Sequence, residues 1–250
     1  MKNRIRQCFG KAAPGYGDAA SVQRKVAYKC AQNTLEGQYH NVLDAGSGVG
    51  FLYSELEKRI SFENYISLDL VHPMLMEQKK LSGPLLVTSD GESLPFKDGQ
   101  FDLLVSSSAM QWYAEPEKSI PDSFKMLRKG GHFSIAIFVK GTLGELAEVS
   151  ARTGFGSVKE LQTAAFYRDL LSSIPNLDVN FKDGHHEVYF SSVVEFLRNH
   201  KKTGALASTG DISWGKEKYM RFLEEYEKMY GGEQGVRASY EVLYASGEML

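Results

Sequence analysis

The fold of this chain is decided by one stretch of sequence, Asn41-Val42-Leu43-Asp44-Ala45-Gly46-Ser47-Gly48-Val49-Gly50. A short apolar run ends in an acid, three alternating glycines follow, and Phe51, Leu52 and Leu56 then resume helical spacing. This order predicts a β-strand, a sharp glycine turn and an α-helix. Glycines at these positions let the backbone bend and let a ligand lie against the main chain, where side chains would block it. The alternative is a tight turn that binds nothing.

Similar segments follow along the chain. Strands are predicted at 65–70, 85–88, 101–105 and 132–139, helices at 20–36, from His72-Pro73 onward and at 118–127, and a turn at Lys129-Gly130-Gly131. Strands separated by helices indicate a parallel sheet covered on both faces, with the ligand at the carboxyl ends of the strands. The predicted fold class is therefore α/β with a Rossmann-like sheet.

The second half of the chain has a different pattern. We expect a helix at 159–173, a strand at 187–190, helices at 192–199 and 215–230, and a late strand at 233–245. These elements are interpreted as strands that complete the sheet together with a small helical cap.

Composition narrows the function classes. The 29 Lys and Arg residues nearly balance the 31 Asp and Glu residues, and a net charge of -2 gives no global attraction to nucleic acid or to an acidic membrane. Cys8 and Cys30 form neither a disulfide framework nor a zinc site, so no metal is expected. Without a signal peptide or a long apolar stretch, the chain is expected to be cytoplasmic.

The glycine spacing selects the cofactor class. A dinucleotide fingerprint reads G-x-G-x-x-G around a pyrophosphate, whereas the glycines here read G-x-G-x-G. S-adenosylmethionine has no phosphate, and Asp44 at the strand end can face its charged groups. Asp69 lies 19 residues beyond Gly50 and can accept hydrogen bonds from both ribose hydroxyls, although it could instead cap the following helix. The pattern favours S-adenosylmethionine over NAD.

Two further segments extend this prediction. Asp90 can accept from an adenine amino group while Gly91 donates from the main chain, or the segment could be only a polar turn. After the fourth strand, the stretch from Ser106 to Trp112 is where the transferred methyl group should be exposed, although Trp112 could be plain core. The predicted cofactor-binding residues are Asp44, Gly46, Ser47, Gly48, Gly50, Asp69, Leu70, Met74, Asp90, Gly91, Glu92 and Ser106.

Together these motifs resemble a known family. Phe9-Gly10-Lys11-Ala12-Ala13-Pro14-Gly15-Tyr16, the glycine motif, Gln111-Trp112 and Gly141-Thr142-Leu143-Gly144-Glu145-Leu146 are similar to the malonyl-acyl carrier protein methyltransferases of biotin synthesis, which are class I S-adenosylmethionine-dependent methyltransferases. The resemblance implies a class I Rossmann-like sheet with helices on both faces and a small helical cap. It also implies three parts: a helical flap over the active site (1–36), a cofactor-binding core (37–140), and a cap insertion with the last strands (141–250).

The resemblance further implies the reaction. The substrate would be the free carboxylate of a malonyl thioester, carried by acyl carrier protein or coenzyme A, and Tyr16, Gln111 and Trp112 would form the catalytic site. A carboxylate is ionised at neutral pH, so no general base is needed. Tyr16 is the first choice for a donor that holds the carboxylate, although it could be a packing tyrosine.

Several points stay open at this level. A basic clamp for the carboxylate could be any of Arg152, Arg198, Lys201 and Lys202. An acidic carrier protein could dock on Lys125, Arg128 and Lys129 or on the cluster 198–202. The rival functions are a methyltransferase acting on another small-molecule acceptor and a nucleotide-binding regulator that has lost catalysis.

Overall fold

The computed structural model describes residues 2–156, 158–205 and 215–250, and its centre is one mixed β-sheet. The strand order is β3-β2-β1-β4-β5-β8-β6, and β7 pairs with β8 beside this path. The strands are β1 (Gln38–Ala45), β2 (Ser61–Asp69), β3 (Leu85–Thr88), β4 (Phe101–Ser107), β5 (Leu127–Phe138), β6 (Leu177–Phe190), β7 (Gly231–Gly232) and β8 (Gly235–Met249). The first five strands run parallel to one another, as the sequence predicted.

Helices cover both faces of this sheet, which confirms the predicted fold class. They are α1 (Lys2–Ala19), α2 (Ser21–Gln32), α3 (Phe51–Leu56), α4 (His72–Gln78), α5 (Pro116–Phe124), α6 (Gly144–Thr153), α7 (Ala164–Ser172), α8 (Val193–Lys202) and α9 (Lys216–Tyr230), with a short 3-10 turn at Met110–Trp112. None of the helices within the described part of the chain is long and apolar enough to cross a bilayer.

The alternation of strand side chains builds two cores. Leu43 and Leu104 point to the face covered by α5 and α7, whereas their neighbours Val42 and Leu103 point to the face covered by α2 and α3. All four are fully buried. Successive residues of a strand face opposite sides, so an apolar run without alternation is what a strand buried on both faces requires.

The last strands, for which the sequence predicted no direction, add antiparallel pairs to the parallel part of the sheet. β8 runs antiparallel to both β5 and β6. The strand predicted at 187–190 is only the end of β6, a strand of 14 residues that pairs with β8 along its whole length. Polar residues alternate along β6 because it is the edge strand and one of its faces is largely exposed, which weakened the sequence signal.

Two local predictions were also wrong. Lys129-Gly130-Gly131 is not a turn between elements but part of β5, where the pairing of β4 and β5 shifts register between Phe101 and Leu103. Glycine is typical of both β-bulges and turns, so the two cannot be told apart from the glycines alone. The helix expected from residue 159 begins only at Ala164, because the Thr163 hydroxyl accepts the Phe166 N–H at 3.1 Å and caps it there.

The N-terminal helix α1 packs across the carboxyl edge of the sheet. Ile5 and Ala13 of this helix form a small buried cluster with Val71 and Met74, which belong to the region that follows β2. The helix therefore covers the edge where ligands bind in open α/β sheets. The division of the chain after residues 36 and 140 stays a prediction.

Candidate active site

The backbone of the glycine turn after β1 packs closely against neighbouring side chains. Gly46 and Gly50 both have a positive φ, +81° and +88°. A Cβ on Gly46 would overlap the Cβ of Ala109, and a Cβ on Gly50 would lie 2.8 Å from Cγ of Gln78. At Gly48 an added Cβ would meet nothing within 4 Å, and this residue lines a cavity. Packing therefore requires glycine at positions 46 and 50, while Gly48 presents bare backbone to open space.

This cavity, called the first cavity below, lies between the carboxyl edge of the sheet and α1. Its lining includes 46–49 from the glycine turn, 68–71 from the end of β2 onward, 90–92 after β3, 107–109 and 112–113 from the end of β4 onward, and Lys2, Ile5, Phe9 and Tyr16 from α1. Twelve of the predicted site residues line it: Tyr16, Asp44, Gly46, Ser47, Gly48, Asp69, Leu70, Met74, Asp90, Gly91, Glu92 and Trp112.

Asp44 is the most buried acid in this cavity. Its Oδ2 accepts a hydrogen bond from the Tyr65 hydroxyl at 2.9 Å, whereas its Oδ1 is buried without a partner among the described residues. Burial raises the pKa of Asp44 to about 7, although the Tyr65 hydroxyl opposes this rise. A buried carboxylate oxygen without a donor is costly, so this oxygen is suited to a cationic or donating ligand group.

Asp69 orders the backbone on both sides of the cavity. Its two oxygens accept the Gly48 N–H at 2.8 Å and the Val71 N–H at 2.7 Å. Burial raises its pKa to about 6, and these two hydrogen bonds oppose the rise. The alternative interpretation, in which Asp69 caps the following helix, is wrong, because the N-cap residue of α4 is Val71 and it makes no side-chain capping hydrogen bond. Each oxygen keeps a lone pair that can accept a ligand hydroxyl.

The loop after β3 is held by a residue that sequence reasoning missed. Lys2 in α1 forms ion pairs with Asp90 at 2.6 Å and with Glu92 at 2.8 Å. Burial alone would raise the pKa of both acids, but the hydrogen bonds from Lys2 and the backbone lower it. The other Glu92 oxygen accepts the N–H groups of Ala114 and Glu115, both at 2.8 Å, and so supports the start of α5.

Three predicted residues lie outside the first cavity. Gly50 caps the start of α3. Ser106 is fully buried and donates to the Ala45 carbonyl at 2.7 Å, which ties β4 to β1. Because side chains alternate along a strand, Ser107 rather than Ser106 lines the first cavity, and Ser108, which follows β4, also lines it. Gln111 lines a second cavity, where its Nε2 donates to the Ser108 carbonyl at 2.6 Å.

This second cavity lies on the other side of a row of side chains. Its remaining lining residues are Phe138, Thr142, Leu143, Val158, Lys159, Leu161, His200, Thr203, Ala205 and Tyr240. Five residues line both cavities and are called the shared wall: Phe9, Tyr16, Gln23, Ser108 and Trp112.

Aromatic rings dominate the shared wall. Phe9 lies edge-on to Trp112, with 5.4 Å between ring centroids, and 6.3 Å from Tyr16. The Tyr16 ring stacks on Phe51 at 6.1 Å. Burial raises the pKa of the Tyr16 hydroxyl, so this group stays neutral, and no residue within the described ranges hydrogen-bonds it. The structure thus brings Tyr16, Gln111 and Trp112 together at the boundary of the two cavities.

None of the basic residues proposed as a clamp lines either cavity. Arg152 instead pairs with Glu148 at 2.7 Å on the surface of α6. Lys159 lines the second cavity in their place. In the sequence, Lys159 is a single lysine beside Val158 without a motif around it. It was interpreted there as the first residue of a helix.

Comparison with known proteins identifies the class of this site. Residues 43–135 match the model of a methyltransferase domain family. A malonyl-acyl carrier protein O-methyltransferase from Dechloromonas aromatica is 31% identical over 82% of this chain and 77% of its own length. The same kind of enzyme from Geobacter sulfurreducens is 29% identical over 99% and 98%.

The chain belongs to the malonyl-acyl carrier protein O-methyltransferase family. It is an S-adenosylmethionine-dependent methyltransferase, which confirms the predicted enzyme class and cofactor. A solved S-adenosylmethionine-dependent methyltransferase from Thermotoga maritima superimposes on it with a TM-score of 0.57, covering 97% of this chain and 99% of that one. With 16% identity, that similarity shows the shared fold of this methyltransferase.

Proposed function

We propose that this methyltransferase esterifies the free carboxylate of a malonyl thioester on acyl carrier protein, the first masking step of a biotin pathway. The observation that supports this proposal is the shared wall: one cavity carries the motifs of a cofactor site, a second opens beside it, and five side chains border both. A methyl donor and an acceptor can meet only at such a boundary. The names of the relatives favour the malonyl acceptor.

The first cavity fits S-adenosylmethionine by its chemistry. The partnerless Oδ1 of Asp44 suits a donor or a positive charge, and the bare backbone at Gly48 admits a ligand next to the main chain. Asp69 would hold the ribose hydroxyls. When bound, the cofactor supplies an electrophilic methyl group. Asp90 has its two oxygens engaged by Lys2 and the Glu92 N–H, so its role toward adenine would use the remaining lone pairs.

The residues around the acceptor would act by orientation. A carboxylate with a pKa of about 4 is already an anion at neutral pH, so the site needs no base. Holding the reacting oxygen within about 3 to 3.5 Å of the methyl carbon can supply much of the acceleration. Tyr16 would donate its hydroxyl to the carboxylate, while Phe9 and Trp112 exclude water. Gln111 would support Trp112 through its bond to Ser108.

The two basic patches proposed for docking of the carrier protein lie at different edges of the sheet. Arg198, Lys201 and Lys202 line a groove between α8 and α1, while His200 and Thr203 line the second cavity. The other proposed patch, Lys125 to Lys129, precedes or begins β5 and so lies at the opposite edge of the sheet. A strand of seven residues separates the two edges by roughly 23 Å. We therefore favour the groove beside α8 for the acidic carrier.

One assay tests the reaction. The protein is incubated with methyl-labelled S-adenosylmethionine and malonyl-acyl carrier protein, with acetyl-acyl carrier protein as the matched acceptor that lacks a free carboxylate. We expect a labelled methyl ester on the malonyl carrier alone. Label on the acetyl carrier, or on an unrelated small molecule and not on the malonyl carrier, would contradict the proposed acceptor. Calorimetry with S-adenosylhomocysteine and NAD tests the cofactor site separately, and preferential NAD binding would contradict it.

A further inference from the structure

The second cavity has a single charged side chain at neutral pH among its described lining residues. Burial lowers the pKa of His200 to about 4, so its imidazole is neutral. Burial raises the pKa of Tyr16 and Tyr240, so their hydroxyls keep their protons. No carboxylate belongs to the lining. The remaining titratable group is the ammonium of Lys159.

Lys159 has no acidic partner in this cavity among the described residues. Its Nζ donates to the Gln111 carbonyl at 2.5 Å and lies 4.6 Å from the centroid of the Trp112 ring. It has three donors, and no second acceptor is found in the described ranges. The acid whose charge raises its pKa is Glu92, which is already paired with Lys2 at 2.8 Å.

The environment of Lys159 disfavours the charged form of its ammonium group. Burial lowers the pKa of Lys159 to about 8, although the charge of Glu92 opposes the fall. A partly buried ammonium without a counterion is unfavourable, and an arriving carboxylate would relieve that cost. The ammonium also contacts Trp112, which belongs to the shared wall, so a carboxylate that reached it would stand beside the first cavity.

We propose that Lys159 binds the carboxylate of the acceptor through its ammonium and so selects a charged acyl group at the shared wall. This inference rests on the proposed malonyl acceptor and assigns the basic clamp that the sequence left open. In the transfer, a carboxylate oxygen forms a bond to the methyl carbon while the bond from sulfur to that carbon breaks. The bonding electron pair stays on sulfur, and no proton moves. The ester has no charge, so it loses the ion pair with Lys159 and is released.

This role predicts a specific kinetic signature. The attraction is strongest before transfer and fades as the carboxylate charge disappears, so Lys159 stabilises the bound acceptor more than the transition state. Lys159→Gln should therefore raise KM for malonyl-acyl carrier protein by about 10- to 100-fold, the range expected for a charged hydrogen bond, and leave kcat near or above that of the wild type. Lys159→Arg should restore most of the affinity because it keeps the charge.

The experiment measures kcat and KM for both variants with the malonyl carrier. Lys140→Gln is the matched control, because Lys140 is exposed and lines neither cavity. Calorimetry with S-adenosylhomocysteine should give unchanged affinity in every variant, which shows that the first cavity is intact. In the wild type, KM should rise above pH 8 toward the value of the glutamine variant as Lys159 loses its charge, whereas the arginine variant should stay flat. Lys159→Met, which keeps the alkyl stem, replaces the glutamine variant if that one unfolds.

The outcomes separate the two proposals. An active wild type together with a glutamine or methionine variant whose KM is within twofold of it would overturn the role of Lys159 and leave the reaction standing. A fall in kcat at unchanged KM would equally overturn it, since that would point to disturbed packing at Trp112. A wild type that does not methylate malonyl-acyl carrier protein would overturn both.

Discussion

Substitution of Gly46 by alanine tests the claim that this glycine is required by packing. Its φ of +81° is a conformation that costs an L-residue roughly 1–2 kcal/mol. The new Cβ would also overlap that of Ala109, and overpacking of this kind costs about 1–3 kcal/mol more. We expect Gly46→Ala to lower the free energy of unfolding by about 2–5 kcal/mol. For a chain of this length that lowers Tm by roughly 4 to 20 °C.

Gly48→Ala is the informative comparison. Its φ of +57° carries the same strain, but an added Cβ would meet no protein atom within 4 Å, so the loss should be only about 1–2 kcal/mol. Because Gly48 lines the first cavity, this variant should instead weaken binding of S-adenosylhomocysteine. Gly37→Ala has neither a positive φ nor a close neighbour and serves as the control, with little change in either property.

Urea unfolding and calorimetry with S-adenosylhomocysteine measure the two effects on each variant. Equal loss of unfolding free energy in Gly46→Ala and Gly48→Ala would refute the reasoning, because the overlap with Ala109 would then contribute nothing. Unchanged affinity in a folded Gly48→Ala would remove that residue from the ligand site.

Three further predictions concern the acids, the tyrosine and the docking groove. Burial raises the pKa of Asp44 to about 7, so its ionisation destabilises the folded state as pH rises from about 4 to 7. Asp44→Asn should therefore match the wild-type Tm near pH 4 and exceed it at pH 8. A difference in calorimetric Tm that does not depend on pH would contradict this. Tyr16→Phe should lower turnover more than it weakens binding of S-adenosylhomocysteine, and unchanged turnover would remove Tyr16 from the site. Lys202→Glu should raise KM for the carrier protein several-fold at low salt while Lys129→Glu should not, and the reverse order would move the docking surface to the opposite edge of the sheet.

The sequence predicted the cofactor half of the site because its signals are local. Asp44 and Asp69 each lie at the carboxyl end of a strand, after buried residues, and Gly46 and Gly48 follow Asp44 in one turn. Parallel strands bring their carboxyl ends to one edge, so acids and glycines that are far apart in sequence meet without any knowledge of packing. Their roles toward the cofactor stay predictions, whereas the fold, the family and the cofactor are confirmed.

The local sequence pattern could not predict contacts between side chains that lie far apart in the chain. Lys2 reaches Asp90 over 88 positions, and Lys159 reaches the Gln111 carbonyl over 48. Ser106 faces the core and Ser107 the first cavity because a strand reverses its side chains at each residue, so a difference of one position changes the role.

The chain by itself thus determined a glycine turn at the end of a buried strand, since backbone sterics and apolar periodicity act over a few residues. Tertiary structure alone decided that β8 runs antiparallel between β5 and β6, and that a lysine lines the second cavity. Those features depend on desolvation and on contacts between distant segments, which exist only when the whole core has formed.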